Sequence, residues 1–244
     1  MVVPRDGGIW TDYAYAASHV FNGNGEMTGL AWVQESGMLG SPIGITNTYQ
    51  VGMVRDFLAK ESVRVGVVED FLLPVVGETD DGWLSDASAF ALTEEDAAIA
   101  LSIASGGAVA EGCVGGGTGM ICHEFKGGIG TSSRVVEIDD ETYVVGVLVQ
   151  ANYGAREDFR IDGVPVGALI GSDKVPSPWT SRQMEARSSS SSRPMPHCCP
   201  VSAGGWRIER RSAWPESVDM GMTPVATCSS PSPPATIWKS GRAR

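Results

Sequence analysis

Short β-rich apolar runs alternate with helically spaced ones from Val2 to Trp179, which predicts an α/β or α+β domain. Ile43–Gly52 (IGITNTYQVG) reads as a strand and a turn, followed by a helix over Met53–Lys60. Val63–Val68 and Leu72–Glu78 read as buried strands or their approaches. Thr93 can cap a helix, and Glu94, Glu95 and Asp96 place negative charge in its first turn. Gly106 and Gly107 are the expected stop, because glycine tolerates the left-handed conformation that ends helices. Ala110–Ile138 is dense in glycine, which predicts tight turns and close backbone approach, not a helix or a long strand. Tyr143–Gly154 (YVVGVLVQANYG) is a continuous apolar strand of the type buried in a sheet.

Composition narrows the class. The chain has 244 residues, 42% of them hydrophobic, enough for one substantial core. No stretch approaches the ~20 apolar residues that span a bilayer, and MVVPRDGGIW lacks the regions of a signal peptide. A cytoplasmic protein is expected. Charge is uneven: Met1–Trp179 holds 9 Lys+Arg against 25 Asp+Glu, whereas Thr180–Arg244 holds 9 against 4. So acidic a first part argues against nucleic-acid binding.

The chemistry-bearing residues are few. Cys113 and Cys122 do not make a secreted disulfide framework, and Cys122-His123 has no second ligand pair at zinc spacing. No metal or organic cofactor is expected. The run Gly115-Gly116-Gly117-Thr118-Gly119 lacks a GK[ST] ending and does not fit dinucleotide spacing. It can equally present backbone N–H groups to a developing oxyanion. Composition alone leaves phosphate cradle, oxyanion site and plain turns open.

Four collinear segments decide more. NGNGEMTGLAWVQESGMLGSPIGITNTYQVGMVRD, LPVVGETDDGWLSD, AEGCVGGGTGMICHEFKGGIGTSSR and VGVLVQANYG together resemble the DmpA-type L-aminopeptidase/D-esterases, which include the β-peptidyl aminopeptidases. The resemblance covers about Val2 to Trp179. It implies a four-layer α/β/β/α sandwich, shared with ornithine acetyltransferases, of which this chain holds only part. It implies a precursor that cuts itself to free a serine or threonine at the start of a central strand. That residue's own α-amine can serve as general base, being neutral in part near pH 7. Peptides, amides and esters are the implied substrates, and a homo-oligomer the implied assembly. Acyl transfer of the ornithine-acetyltransferase type is the alternative activity, and a non-enzymatic truncated product the alternative to both.

The chain departs from that pattern at its site. The nucleophile position before VGVLVQANYG falls at Val144, which has no nucleophilic atom; Thr142 is the fallback should the alignment slip. The position of the family's oxyanion-hole asparagine is Cys113, and a thiol is the weaker donor. Losing one such donor typically removes about 3–4 kcal/mol of transition-state stabilisation. Tyr49 matches a family active-site tyrosine, and as a strand-end aromatic it is equally a core residue. Members of the family also carry further residues before the position of Val2.

The tail from Thr180 to Arg244 carries no hydrophobic period, and its Arg187–Pro200 segment (RSSSSSRPMPHCCP) suggests a cause. If one nucleotide is lost after the Trp179 codon, each true codon joins the last base of one codon to the first two of the next. Serine codons TCN then become xTC, which encode only Phe, Leu, Ile or Val. TSRQMEARSSSSSRPMPHCCP is compatible with DVPTDGGSIIVVVATDAPLLP, and RSAWPESVDMGMTPVATCSSPSPPAT with ALGLARVGGHGHDTGGDLFLAFATGN. The two readings resemble the family's missing strands in order. The expectation is a partial aminopeptidase-like domain over 1–179, a frameshifted, disordered tail over 180–244, and no activity in the chain as written.

Overall fold

The computed structural model describes residues 1–5, 8–66, 71–139 and 141–178, and the backbone of 225–229. Its first unit is strand–helix–strand. β1 (Ala14–Tyr15) pairs antiparallel with β2 (Met38–Leu39), and α1 (Leu30–Ser36) lies between them in the chain. β3 (Ile43–Asn47) and β4 (Val75–Thr79) then run parallel in register, Ile43 opposite Val75 and Asn47 opposite Thr79, joined through α2 (Val51–Val65).

The two-residue period of these strands sorts the core into two clusters. Ile43 and Val75 pack with Val33 of α1 and Leu39 of β2. Val76, one residue along, points the other way, into Val51, Val54, Phe57 and Leu58 of α2 and Ala97 of α3 (Glu94–Ser102). Gly44 is what lets α2 sit so close: a Cβ there would lie 2.8 Å from Val54 Cγ1 and 3.2 Å from Val76 Cγ2. Gly44→Ala is expected to cost about 1–3 kcal/mol through overpacking, read as a lowered urea midpoint at unchanged slope.

Two sequence expectations for helices change. α2 begins at Val51 and runs to Val65, beyond the Met53–Lys60 expected. Val63–Val65, expected as a strand, form its last turn, and Gly66 at φ 66° closes it with its N–H on Val63 O. The buried face Val51, Val54, Leu58, Ser62 keeps helical spacing through that turn, so packing overrides the β preference of the valines. Residues 67–68 of that expected strand lie outside the described residues. In α3, Thr93 caps as expected: its Oγ1 accepts from Asp96 N, and Asp96 reaches back to Thr93 N. That reciprocal bond holds the exposed Asp96 carboxyl below its usual range. The helix stops at Ser102, four residues before Gly106, with Ile103 N bonded to Ile99 O and Leu101 O.

The glycine-rich segment divides. Its first part turns tightly: a 3₁₀ turn over Gly115–Gly117, then β5 (Ile121–Cys122) and β6 (Phe125–Lys126) as a two-residue hairpin. A Cβ at Gly117 or at Gly128 would each stand 2.5 Å from Gly112 O, so three stretches of backbone meet at that carbonyl. Its last part is a ten-residue strand, β7 (Ile129–Ile138), which contradicts the expectation of turns throughout. The β-branched run from Ile129 outweighs the upstream glycines.

β7 pairs antiparallel with β8 (Glu141–Gln150) from Ile129–Gln150 to Ile138–Glu141. β9 (Val225–Ser229) adds to the other edge of β8 between Val144 and Leu148. The boundary expected at Trp179 and the expected disordered tail lie outside the described residues, apart from β9, whose strand the tail's composition did not suggest. β8 was expected to be buried; among the described residues it is half-buried, and Val145 is exposed. Last come a 3₁₀ turn at Arg156–Asp158 and the short α4 (Val166–Leu169). No described helix is long and apolar enough to cross a membrane.

Candidate active site

Parallel strands leave backbone groups and loops converging at their carboxyl ends, the usual place for a ligand in an α/β unit. Here β3 ends at Asn47 and β4 at Thr79, and the far end of β8 meets them. Gln150 Nε2 donates to Thr79 Oγ1 at 2.5 Å. Two residues on, Asn152 Oδ1 accepts from Asp80 N at 2.8 Å, and its Nδ2 donates to Asp80 O at 3.0 Å. The glycine turn closes the third side: a Cβ on Gly116 would collide with the Gln150 amide. Three distant segments therefore meet at one point, held by two amide side chains.

This convergence is acidic. Glu78 is only 7% exposed, and its Oε2 accepts from Thr48 Oγ1 at 2.6 Å. Burial pushes its carboxyl up despite that bond, and the charges of Asp80 and Glu26 push the same way. Asp81 is raised by burial too, and its Oδ1 has no hydrogen-bond partner. A carboxyl with a raised folded-state pKa favours folding while protonated, so that contribution is present at low pH and lost as pH rises through the raised value. Glu78→Gln is therefore expected to stabilise the fold at pH 7 more than at pH 4. Denaturant midpoints at the two values check this.

On the opposite side, Lys126 Nζ donates to Gly117 O, Met120 O and Gly127 O at 2.8–3.2 Å. Three carbonyls satisfy the ammonium and fix the glycine turn. Lys126→Met is expected to loosen the turn, measured as faster amide exchange at Gly115–Gly117 with the β3–β4 amides unchanged.

The four residues singled out from the sequence separate into two places. Tyr49 sits in the 3₁₀ turn after β3, 60% exposed, its ring stacked on Phe90 at 5.8 Å. Cys113 is exposed just before the glycine turn, next to Gly112, whose N–H bonds Ile129 O. Tyr49 follows Thr48, which bonds Glu78, and Cys113 comes two residues before the Gly115–Gly117 turn. Val144 and Thr142 lie toward the other end of β8, opposite Val135 and Glu137. Six residues of strand separate Val144 from Gln150, which at ~3.3 Å per residue is roughly 20 Å.

Gln150, Asn152, Thr79 and Glu78 escaped the sequence reading as site residues. The available signal was the abrupt appearance of amides at the end of an apolar strand, Gln150 and Asn152 after VGVLV. Behind the site, Cys122 and His123 serve packing. His123 Nδ1 lies 2.8 Å from Ala155 O, and its ring stacks on Phe159. Burial raises the Cys122 thiol, and burial likewise raises the Tyr153 phenol, which shares a hydrogen bond with it.

Comparison with known proteins adds the following. The profile of Peptidase family S58 matches residues 1–203. The "Beta-peptidyl aminopeptidase BapA" of Sphingosinicella microcystinivorans is 47% identical over 162 residues, covering 66% of this chain and 41% of that protein. Its counterpart in Sphingosinicella xenopeptidilytica is 51% identical, covering 65% and 40%. Among solved structures, a Burkholderia sp. β-aminopeptidase superposes with a TM-score of 0.68 at 49% identity, over 72% of this chain and 50% of that one. An L-aminopeptidase D-Ala-esterase/amidase from Ochrobactrum anthropi, described as a variant of the Ntn hydrolase fold, gives 0.61 at 47%, over 65% and 45%. The chain spans about two fifths of the length of the curated relatives it matches.

Proposed function

The chain belongs to peptidase family S58, and on that premise we propose that its intact reading frame encodes an N-terminal-nucleophile aminopeptidase acting on peptides, amides or esters. The observation that carries the reading is the acidic convergence of Glu78, Asp80 and Asn152 with the glycine turn. An aminopeptidase must hold a free α-ammonium beside the bond it cuts, and the buried Glu78 with the exposed Asp80, next to the backbone of a glycine turn, suit both ends of that task.

In this reading a hydroxyl oxygen attacks the substrate carbonyl carbon, its proton passing to the nucleophile's own α-amine. The C–N or C–O bond to the leaving group then breaks with return of that proton, and water hydrolyses the acyl ester. Neither Val144 nor Thr142 suits the role. Val144 has no attacking atom, and both stand far along β8 from the acidic mouth. The frame-restored tail offers a better candidate. There the codon overlapping Arg187 is compatible with serine, behind two glycines and ahead of Ile-Ile-Val-Val-Val, a hydroxyl at a strand start. The chain as written lacks that serine and carries Cys113 where an amide donor is expected, so it is inactive.

The four-layer α/β/β/α sandwich belongs to the same proposal. β8 carries apolar residues on both faces, Val144 and Leu148 on one and Val145, Val147 and Val149 on the other, as a strand lying between a helix layer and a second sheet must. Assembly as a homo-oligomer and residence in the cytoplasm complete the reading.

The test is selectivity for a free amine. Frame-restored protein should release p-nitroaniline from L-alanine p-nitroanilide and leave the N-acetylated analogue untouched. Equal turnover of both would sink the assignment of the acidic mouth to the substrate ammonium.

A further inference from the structure

A cavity of about 320 Å³ lies at the other end of β3 from the acidic convergence. Pro42, just before β3, lines it together with Val65 of α2 and Leu101 of α3. From Pro42 to Asn47 is five residues of strand, roughly 16 Å at ~3.3 Å each. The remaining wall comes from the segment around Val3 and Trp10. Val2 N donates to Ile43 O at 2.9 Å and Ile43 N returns to Val2 O at 2.8 Å, which ties that segment to β3. Gly8 O then accepts from Thr11 N and Asp12 N, at 2.9 and 2.6 Å, and turns the chain back. The turn buries Ile9 to 2% exposure, and Trp10 packs with Leu101 against the core of α2 and α3. Backbone bonds thus hold the wall in place, so a ligand meets a formed surface.

The wall is apolar but for one cation. Among the described residues that line it, Arg5 alone is charged, and the Thr11 hydroxyl already donates to Gly8 O. Arg5 meets only Asp12 among the described residues, Nε to Oδ2 at 3.8 Å, longer than a hydrogen bond. A concave apolar wall with few convergent polar groups is the usual form of a small-molecule site. We propose that this cavity is a second ligand site, taking a small aryl or alkyl monocarboxylate. Its apolar body lies against Ile9, Trp10 and Leu101, and its carboxylate meets the Arg5 guanidinium, whose fork matches two carboxylate oxygens. At ~30 Å³ per water, the space suits about ten heavy atoms, a single ring with a short acid arm. An amine finds no acid in the wall to pair with. The site touches neither Glu78 nor Asn152 and is independent of the aminopeptidase reading.

The experiment titrates the isotope-labelled 244-residue chain with phenylpropionate and follows its amide resonances. Saturable shifts are expected at Ile9–Thr11, Val65 and Leu101, with Kd on the order of 0.1 mM, and none at Thr79–Asp81. Phenylpropanamide, the same shape without the charge, should bind at least about tenfold more weakly, and phenylpropylamine should shift none of these amides. Arg5→Gln should bring the carboxylate down to the affinity of the amide. Asp12→Asn removes a competing carboxylate and should tighten binding roughly twofold. Val65→Phe fills the cavity and should abolish binding; if that variant fails to fold, Arg5→Gln, on a partly exposed side chain, decides alone. Equal affinity for phenylpropionate and its amide would overturn the proposal. So would unchanged binding in Arg5→Gln, shifts centred on Thr79–Asp81, or no saturation by about 5 mM.

Discussion

Inserting one base after the Trp179 codon is expected to yield a chain that cuts itself in two and hydrolyses amino-acid amides, and the original chain is expected to do neither. The expected change is large because it supplies the attacking atom, and enzymes of ordinary efficiency exceed the uncatalysed rate by at least about a million-fold. Only background hydrolysis should remain without it. In the proposed reading Glu78, Asn152 and the glycine turn orient the reaction. A denaturing gel and release of p-nitroaniline from L-alanine p-nitroanilide read the two outcomes together. The new break should fall at the restored serine, before the Ile-Ile-Val-Val-Val run. A restored chain that stays whole and inert would overturn the frame reading, and cleavage of the original chain near Tyr143–Val144 would return the nucleophile to β8.

Arg156→Met is expected to produce the largest loss of stability. The guanidinium is buried, with Arg156 6% exposed, and it gathers the end of the described chain around itself. One Nη donates to Val175 O at 2.6 Å, and the ring of Phe125 lies 4.5 Å beneath Cζ. Glu124 Oε2 stands 3.6 Å from Nε and accepts from Ser177 Oγ at 2.5 Å. Methionine fills much of the volume but leaves the Glu124 carboxylate buried without its counter-charge, and removing one partner of a buried pair costs about 3–5 kcal/mol. For a protein of this size that lowers Tm by roughly 10 °C. Glu124→Gln should cost less, because an amide oxygen still accepts from Ser177 and Arg156 keeps its carbonyls. Thermal unfolding compares the pair. A Tm for Arg156→Met within about 2 °C of the parent would show that the cluster is incidental.

The same cluster explains an unusual turn. His123 and Glu124 join β5 to β6 with φ of 50° and 62°, a two-residue hairpin loop that normally selects asparagine and glycine. Left-handed backbone costs about 1–2 kcal/mol at each such residue. The stacking of His123 on Phe159 and the pairing of Glu124 with Arg156 offset that cost. Nothing local in Cys-His-Glu-Phe announces a turn, because the stabilising partners lie more than thirty residues away.

Sequence alone determined whatever depends on neighbours along the chain. The Thr93 cap, the β3 strand and its turn, the site of β4 and the tight turns after Gly112 all follow from local hydrogen bonding and short periods. Motif order determined the family, because several long segments in sequence leave few alternatives. Tertiary packing decided the rest. It drew Val63–Val65 into α2, since a buried helical face outweighs β propensity at three residues. It also decided the site. Thr79 and Gln150, and Asp80 and Asn152, are about seventy residues apart in sequence and meet through single side-chain bonds. No period or propensity encodes such a meeting; it exists only once β4, β8 and the glycine turn have packed.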